Sequence, residues 1–221
     1  MTQRGEAVSR RWQQASIRAA RFMKGRAAGT DVLIEVGAQH PLDQGVRPGS
    51  EFRSRLDEAH SLFLKFSTEQ TVELYIPGSR HSTMGVADDI TLSTAGVQYL
   101  MDRGVPGTSL HGDDLNDYYM GADGVYCSAD ECFVAAQYFT DNPRFGTLLS
   151  VVCPFQLTRK TLHYIHFGVV PTFIPVIASP DFHDATSEAT EAIPYVLITD
   201  ASCQGETSSY AARVRTERSP E

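Results

Sequence analysis

The sequence of 221 residues contains no apolar run that approaches the ~20 residues needed to cross a bilayer. Its first segment, "MTQRGEAVSRRWQQASIRAARFMKGRAAG", has basic residues but lacks the continuous apolar core of a signal peptide. We therefore expect a cytoplasmic protein without a membrane partner.

Cysteine is scarce. The four cysteines are Cys127, Cys132, Cys153 and Cys203, and none of them forms a CxxC pair. Structural zinc clusters are usually built from such pairs, so a zinc cluster of cysteines is not expected. In a reducing cytoplasm cysteines remain thiols, which predicts that these four form no disulfide bonds.

Two glycine signatures are also missing. Neither GxGxxG, the dinucleotide fingerprint, nor GxxxxGK[ST], the P-loop, occurs in the sequence. Single glycines do follow the first two predicted strands, at Gly37 and Gly78. Such glycines allow a ligand to approach the backbone closely, although a plain turn uses them equally well.

Negative charge dominates, with a formal net charge of −8, but it is unevenly spread. Residues 1–30 carry seven Lys/Arg and one Asp/Glu, and residues 204–221 carry three of each. Residues 31–203 are left with 9 Lys/Arg against 23 Asp/Glu, a net charge of −14. This negative charge on residues 31–203 repels the phosphates of nucleic acid, which argues against nucleic acid as a partner. The basic first segment either folds back on this body or binds a partner.

Helical and strand patterns alternate from residue 31 to about residue 177. The strand segments are short and apolar without polar alternation, as in parallel sheets that are covered on both faces. We predict a Rossmann-like three-layer α/β fold, with a mostly parallel sheet of five to six strands and helices on both faces. Strands are predicted over residues 31–39, 71–78, 108–112, 146–154, 169–177 and 193–199. Helices are predicted over residues 9–27, 49–67, 90–104, 128–139 and 155–168.

Three parts of the chain follow from these patterns. Residues 1–29 form a basic amphipathic helix, residues 30–203 the α/β domain, and residues 204–221 a polar, frayed tail. In a parallel sheet the strands end at one common edge, so the residues after each strand meet in one crevice. The candidate binding residues at this edge are Gly37, Gly78, Ser79, Asp114, Gln156 and Arg159, and the candidate catalytic residues are His81, His111 and Asp113.

Histidines are frequent at the predicted strand ends, where His40, His81, His111 and His183 fall. Histidine with carboxylates serves general acid–base catalysis and also binds zinc or iron. Loops are polar in any case, so a divalent metal is an alternative that we do not favour. His163 and His166, by contrast, fall mid-helix and are interpreted as packing residues.

The segment "GDDLNDYYMGADGVYCSADE", residues 112–131, is predicted to be a long acidic loop. Long loops often act as lids or binding loops. Its carboxylates and tyrosines suit a ligand with a positive centre, through charge and cation–π attraction. A solvated insertion is the alternative.

The order of these segments resembles the YdcF/SanA/ElyC family, formerly a domain of unknown function, over about residues 31–177. "VLIEVGAQ" resembles the first strand of that family, which closes in glycines, and "RLDEA" resembles its next helix motif. "YIPGS" stands where the family has a strand ending in Ser-Gly-Gly, and "LSTAGVQYLMDRGVP" resembles its helix closing in Gly-Val-Pro.

Three further segments carry the resemblance to the candidate site. "LHGDD" places Asp113 at the acidic position of the family's Ile-x-x-Glu segment. "SADECFVA" places Glu131 at the glutamate of a Thr-x-Glu-Asn-Ala helix start. "VVCPFQLTRK" places Arg159 at the arginine of a Val-Thr-Ser-x-His-x-x-Arg stretch.

The chain departs from the family at three polar positions, where Thr94 replaces Glu, Cys132 replaces Asn and Gln156 replaces His. The resemblance implies a soluble, divergent member. Soluble YdcF-like members are implicated in binding S-adenosylmethionine, which makes this molecule the leading ligand candidate. The acidic loop would suit its sulfonium and Arg159 its carboxylate.

Two function classes remain open. The first is a small-molecule enzyme of transferase type, in a biosynthetic pathway, that binds a nucleotide-like ligand in the crevice. The second is a non-catalytic binding or regulatory protein whose basic first helix docks a protein partner or a second copy. A metal-assisted hydrolase or transferase of an envelope-type phosphate ester, as the membrane-anchored relatives suggest, is a further alternative.

Overall fold

The computed structural model describes residues 3–26, 28–38, 42–43, 46–78, 90–121, 125 and 128–177. Several predictions fall on the remaining residues and lie outside this description. They are the candidate residues Ser79 and His81, the histidines His40 and His183, the strand over residues 193–199 and the tail over residues 204–221.

The described helices and strands follow the predicted alternation. The helices are α1 (Gln3–Arg26), α2 (Ser50–Phe66), α3 (Leu92–Met101), α4 (Asp113–Met120), α5 (Ser128–Asp141) and α6 (Leu157–His166). The strands are β1 (Asp31–Val36), β2 (Leu42–Asp43), β3 (Arg47–Pro48), β4 (Val72–Tyr75), β5 (Leu110–His111), β6 (Phe145–Val152) and β7 (Thr172–Pro175).

Five of the described strands form one parallel sheet in the order β5-β4-β1-β6-β7. This confirms the α/β prediction with a Rossmann-like arrangement. Strand β1 lies at the centre, between β4 and β6, and is buried along nearly its whole length. A two-residue antiparallel pair, β2 with β3, follows β1 and was not predicted, because such short strands have no sequence periodicity to read.

Side chains alternate between the two faces of the sheet, so each face has its own apolar cluster. On one face Val32, Ile34 and Val36 of β1 pack with residues of α2 and α3. On the other face Leu33 packs with residues of α4, α5 and α6. Helices therefore cover both faces, as expected for a three-layer fold.

The predicted acidic loop is wrong over Asp113–Met120, which is helix α4. Its two aspartates stand in the first turn, where negative charge is favourable because the helix dipole is positive there. Leu115 is buried and Tyr119 and Met120 pack on the core, so an apolar face exists within the acidic segment. Leu115 and Tyr119 are four residues apart and so lie on the same side of a helix. Packing of that side on the core stabilises a helix where composition alone indicated a loop.

Helix α1 packs through its apolar side. Ala19 is fully buried, and Phe22 and Met23 contact the core cluster under α5 and α6. The Phe22 ring meets Phe139 of α5 edge-on, with centroids 6.4 Å apart. No helix within the described ranges has both the length and the hydropathy needed to cross a membrane.

Candidate functional site

The order in which the strands are added to the sheet reverses at its centre, between β1 and β6. Strands β1 and β6 are neighbours, but α2, which comes after β1, covers one face and α6, which comes after β6, covers the other. In open α/β sheets such a reversal opens a crevice at the carboxyl ends of the two strands, where ligands bind. Gly37 follows β1 at this point, and Cys153 follows β6.

A buried ion network lies beneath the crevice. Glu35 of β1 and Lys160 of α6 are both fully buried, and the Lys160 ammonium binds the Glu35 carboxylate. The same ammonium lies 2.8 Å from the carboxylate of Glu131, in the first turn of α5. The Ser150 hydroxyl of β6 donates a hydrogen bond to Glu35 from the other side. One cation therefore joins two carboxylates on β1 and α5.

The charge of Lys160 is set by these neighbours. Burial alone would lower the pKa of its ammonium, because a charged group loses hydration inside the protein. The negative charges of Glu131 and Glu35 outweigh burial and raise the pKa above its ordinary value. Lys160 is therefore a fixed cation, not a neutral amine able to act as a nucleophile.

A second buried pair lies on the side of α2. The Arg55 guanidinium donates a hydrogen bond of 3.0 Å to the side-chain carbonyl of Gln156. Burial lowers the pKa of Arg55, while the nearby Cys153 and Glu131 act in the opposite direction. Gln156 lies in the short turn that joins β6 to α6. The pair links α2 with the loop after β6.

Gly37 lies against both networks. A Cβ atom at this position would stand 3.1 Å from the Lys160 ammonium nitrogen and 3.4 Å from the Gln156 side-chain oxygen. The backbone N–H of Gly37 donates to the carbonyl of Val151 at 2.9 Å. The backbone at Gly37 thus lies directly against the charged network.

Arg159 and Glu131, two of the three residues placed by the resemblance, lie on the same face of the sheet. Arg159 is 7% exposed in the first turn of α6, beside Lys160 in sequence, and Glu131 is 8% exposed. The structure thus gathers four of the predicted site residues around the switch between β1 and β6. These are Gly37, Glu131, Gln156 and Arg159.

Asp113 is held at the same edge of the sheet, after β5. The hydroxyls of Thr91 and Thr94, at the start of α3, donate to one of its carboxylate oxygens at 2.7 and 2.9 Å. The Asn116 side-chain amide donates to the other oxygen at 3.2 Å, and Tyr75 donates to Asn116 at 2.7 Å. Thr94, at the position where the resemblance would place Glu, therefore helps to fix a carboxylate instead of supplying one.

Gly78 lies between these two regions, after β4. Its φ angle is 125°, a backbone conformation that favours glycine. A Cβ atom there would approach the Cβ of Leu92 to 2.7 Å. Close packing between the end of β4 and the start of α3 explains this glycine without a ligand.

His111 and Asp114 belong to a separate network on the side of α4 and α5. The two imidazole nitrogens of His111 face carboxylates, with Nδ1 2.9 Å from Asp114 and Nε2 3.1 Å from Glu73. Tyr138 of α5 donates to Glu73 at 2.6 Å, and Arg144 binds the other oxygen of the Glu73 carboxylate. We name this set of five residues the Glu73 cluster.

The charges of the Glu73 cluster reinforce one another. Burial by itself would lower the pKa of His111, but hydrogen bonds and charges from Asp114 and Glu73 raise it to about 9. Burial would raise the pKa of Glu73, but hydrogen bonds from His111, Tyr138 and Arg144 lower it to about 2. At neutral pH His111 is therefore an imidazolium that donates from both nitrogens, and it is not a ready general base.

Sequence reasoning missed the residues at the centre of both networks. Glu35 and Glu73 lie inside predicted strands, and a charged residue in an otherwise apolar strand is the signal that would have found them. Tyr138 carried no such signal, because helix α5 contains several aromatic residues. His163 is buried and His166 is half-buried with its ring edge-on to Phe167, as the packing interpretation predicts.

Neither Cys132 nor Cys153 is in a disulfide bond, in agreement with the prediction. Within the described part of the chain, no group of three or more His, Cys, Asp or Glu side chains is arranged to hold a metal ion. Comparison of the chain with protein-family models, with curated proteins and with solved structures finds no match. The candidate site is therefore defined by its geometry alone.

Proposed function

We propose that this protein is a small-molecule enzyme of transferase type that binds a nucleotide-like ligand at the carboxyl ends of β1 and β6. S-adenosylmethionine is the first candidate. The observation that carries the proposal is the coincidence of two features at one place. The topological switch of the sheet lies where Glu35, Glu131, Arg55 and Lys160 are buried together. Burying charges costs several kcal/mol per ion unless they are well paired, so their concentration at this one place favours a binding role.

Charges at the edge of the sheet suit the two ends of this ligand. Arg159 has a guanidinium that can bind a carboxylate with two parallel hydrogen bonds. Asp113, fixed by Thr91 and Thr94, offers a carboxylate to a sulfonium cation. Strands lie ~4.8 Å apart, so β6, which precedes Arg159, and β5, which precedes Asp113, are separated by about 14 Å with β1 and β4 between them. A ligand with an amino-acid end and a nucleoside can extend over that distance.

The crevice groups need no metal for this binding. Arg55, Arg159 and Lys160 supply cationic charge, and Glu35 and Glu131 balance much of it. A small molecule with both a cation and a carboxylate meets partners of both signs there. A polyphosphate would meet buried carboxylates close to its own charges.

The test is calorimetric titration of metal-stripped protein with S-adenosylmethionine, repeated with zinc, iron(II) and magnesium. Metal-independent binding is expected. The Arg159→Ala variant is expected to lose ~1.5–3 kcal/mol of binding free energy, the range for a charge-assisted hydrogen bond. Thr158→Ala is the matched control, because Thr158 is the exposed neighbour of Arg159 on α6.

Arg159 is buried, so each variant is first checked by thermal unfolding. Arg159→Lys keeps the charge but loses the planar fork, and an intermediate affinity is expected. Equal affinities of Arg159→Ala and the original protein would remove Arg159 from the site. Failure of the original protein to bind S-adenosylmethionine with or without metal would reject the ligand assignment.

A further inference from the structure

Helix α1 presents a basic face to solvent between Arg10 and Lys24. Arg10, Arg18, Arg21 and Lys24 are all exposed. Positions 10, 14, 17, 21 and 24 recur at helical spacing and share one side, with Arg18 on its flank. This basic face is ~21 Å long at ~1.5 Å per residue. Ile17, 50% exposed, lies at its centre.

The charges of the basic face are not neutralised within the described part of the chain. None of these four side chains lies within ion-pair distance of a described carboxylate. Residues 10–26 contain no Asp or Glu at all. Like charges spaced three or four residues apart on a helix repel one another, so this face is destabilising unless an anionic partner covers it.

Helix α4 offers the complementary surface. Asp117 and Tyr118 are exposed on it, Tyr118 to 78%, and Asp141 is exposed on the end of α5 that accepts a hydrogen bond from Tyr119 of α4. Asp114 is also exposed on α4 but is paired with His111. This acidic face pairs carboxylates with a large exposed aromatic ring, as the basic face pairs cations with Ile17. Two helices that match in charge and in exposed apolar surface can form an interface with a desolvated centre.

Both faces lie on the same side of the sheet. Phe22 and Met23 of α1 and Leu115 of α4 pack against one apolar cluster, while α2 and α3 cover the opposite side. Two copies related by a twofold axis can therefore each place α1 on the partner's α4. Such a closed, reciprocal contact is the commonest form of dimer.

We propose that the protein associates with a second copy of itself through reciprocal contacts between the basic face of α1 and the acidic face of α4. Other anionic partners fit less well. A lipid surface takes up an amphipathic helix through its apolar side, but in α1 that side, with Ala19 and Phe22, packs against the core. Nucleic acid would be repelled by residues 31–203, which carry a net charge of −14.

Sedimentation velocity at low salt, over a wide range of protein concentration, tests this proposal with charge reversals. Arg21→Glu and Asp117→Arg are each expected to weaken the dimer about tenfold or more, since each places like charges at both contacts. An equal mixture of the two variants is expected to dimerise again. In the mixed dimer one α1–α4 contact has its charges exchanged, with the negative charge on α1 and the positive charge on α4. The other contact keeps the original pair, Arg21 with Asp117.

Arg53→Glu is the matched control, because Arg53 is exposed on α2, on the other side of the sheet, and this variant should dimerise normally. A protein that stays monomeric at every concentration would overturn the proposal. Loss of the dimer in Arg21→Glu without recovery in the mixture would overturn α4 as the partner surface. Binding of the monomer to phosphatidylglycerol vesicles, lost in Arg21→Glu, would reassign the basic face to lipid.

Discussion

Glu35 and Ser150 stand opposite each other on the parallel strands β1 and β6, and the Ser150 hydroxyl donates a hydrogen bond to the Glu35 carboxylate. Both side chains point to the face that is covered by α6, where Lys160 completes the network. A buried carboxylate at the centre of a sheet is stable only if its partners are fixed. The register of β1 and β6 therefore decides the charge pattern beneath the crevice.

Removal of Lys160 should have a large effect on stability. Lys160→Met keeps much of the side-chain volume but leaves Glu35 and Glu131 buried without their shared cation. We expect the free energy of unfolding to fall by about 3–5 kcal/mol, the cost of breaking a buried ion pair on one side. Denaturant unfolding measures this loss. Lys65→Met, an exposed lysine at the end of α2, is the control, and an equal effect in both variants would contradict the role of the network.

Stability should fall on the alkaline side as His111 loses its proton. The pKa of His111 is about 9 in the folded protein and 6.5 as its ordinary value. Its stabilisation is thus fully present below pH 6.5 and is lost as the pH rises through 9. We expect a loss of about 1–2 kcal/mol after allowance for solvent screening.

Denaturant unfolding between neutral and alkaline pH measures this loss. His111→Gln should remove most of the decrease in unfolding free energy with rising pH, whereas His60→Gln, on α2, should retain it. If the unfolding free energy of His111→Gln still decreased as steeply at alkaline pH, another titrating group would be responsible for the decrease.

Acid should destabilise the same cluster through Glu73. Its pKa is about 2 in the folded protein against an ordinary value of 4.5. The stabilisation is fully present above pH 4.5 and is lost as the pH falls through 2. Glu73→Gln should therefore be less stable at neutral pH and less sensitive to acid, as measured by thermal unfolding across the acid range. Glu69→Gln, exposed after α2, should behave as the original protein.

A methyl group at position 37 should disturb the crevice more than the fold. Gly37→Ala brings a Cβ atom to 3.1 Å from the Lys160 nitrogen and 3.3 Å from the Val151 carbonyl oxygen. We expect weaker binding of S-adenosylmethionine by calorimetry, since the buried ammonium must shift. Gly107→Ala is the control, because the nearest atom to its added Cβ is the Met101 methyl at 3.9 Å. Unchanged binding in Gly37→Ala would place the ligand away from the end of β1.

Most of the fold could be predicted because its elements have strong local signals. Helix α2 begins and ends within a residue of its predicted bounds, and β6 within two. Helix α4 could not be predicted from the sequence, because its segment has three aspartates and only a few apolar residues. Only the packing of Leu115 and Tyr119 on the core reveals the apolar face.

The candidate site was predictable in part. Gly37, Gln156 and Arg159 were found because they follow strands, and strand ends meet at one edge. His111 is the last residue of β5, but its side chain is bound by Glu73 and Asp114 in another network. A position after a strand fixes where the backbone lies, whereas the direction of the side chain depends on which neighbouring groups attract it.

The sequence by itself determined a parallel α/β sheet and the set of residues along its carboxyl edge, because apolar runs, glycines and helix caps act over a few neighbouring residues. It also determined the separation of charge between the first helix and the body. Only the tertiary structure decided that Glu35, Glu131 and Lys160 meet, since they come from three elements and are joined by strand order and register. The placement of α1 and α4 on one side of the sheet was decided in the same way, because crossovers share one hand and the strand order then decides which face each helix covers.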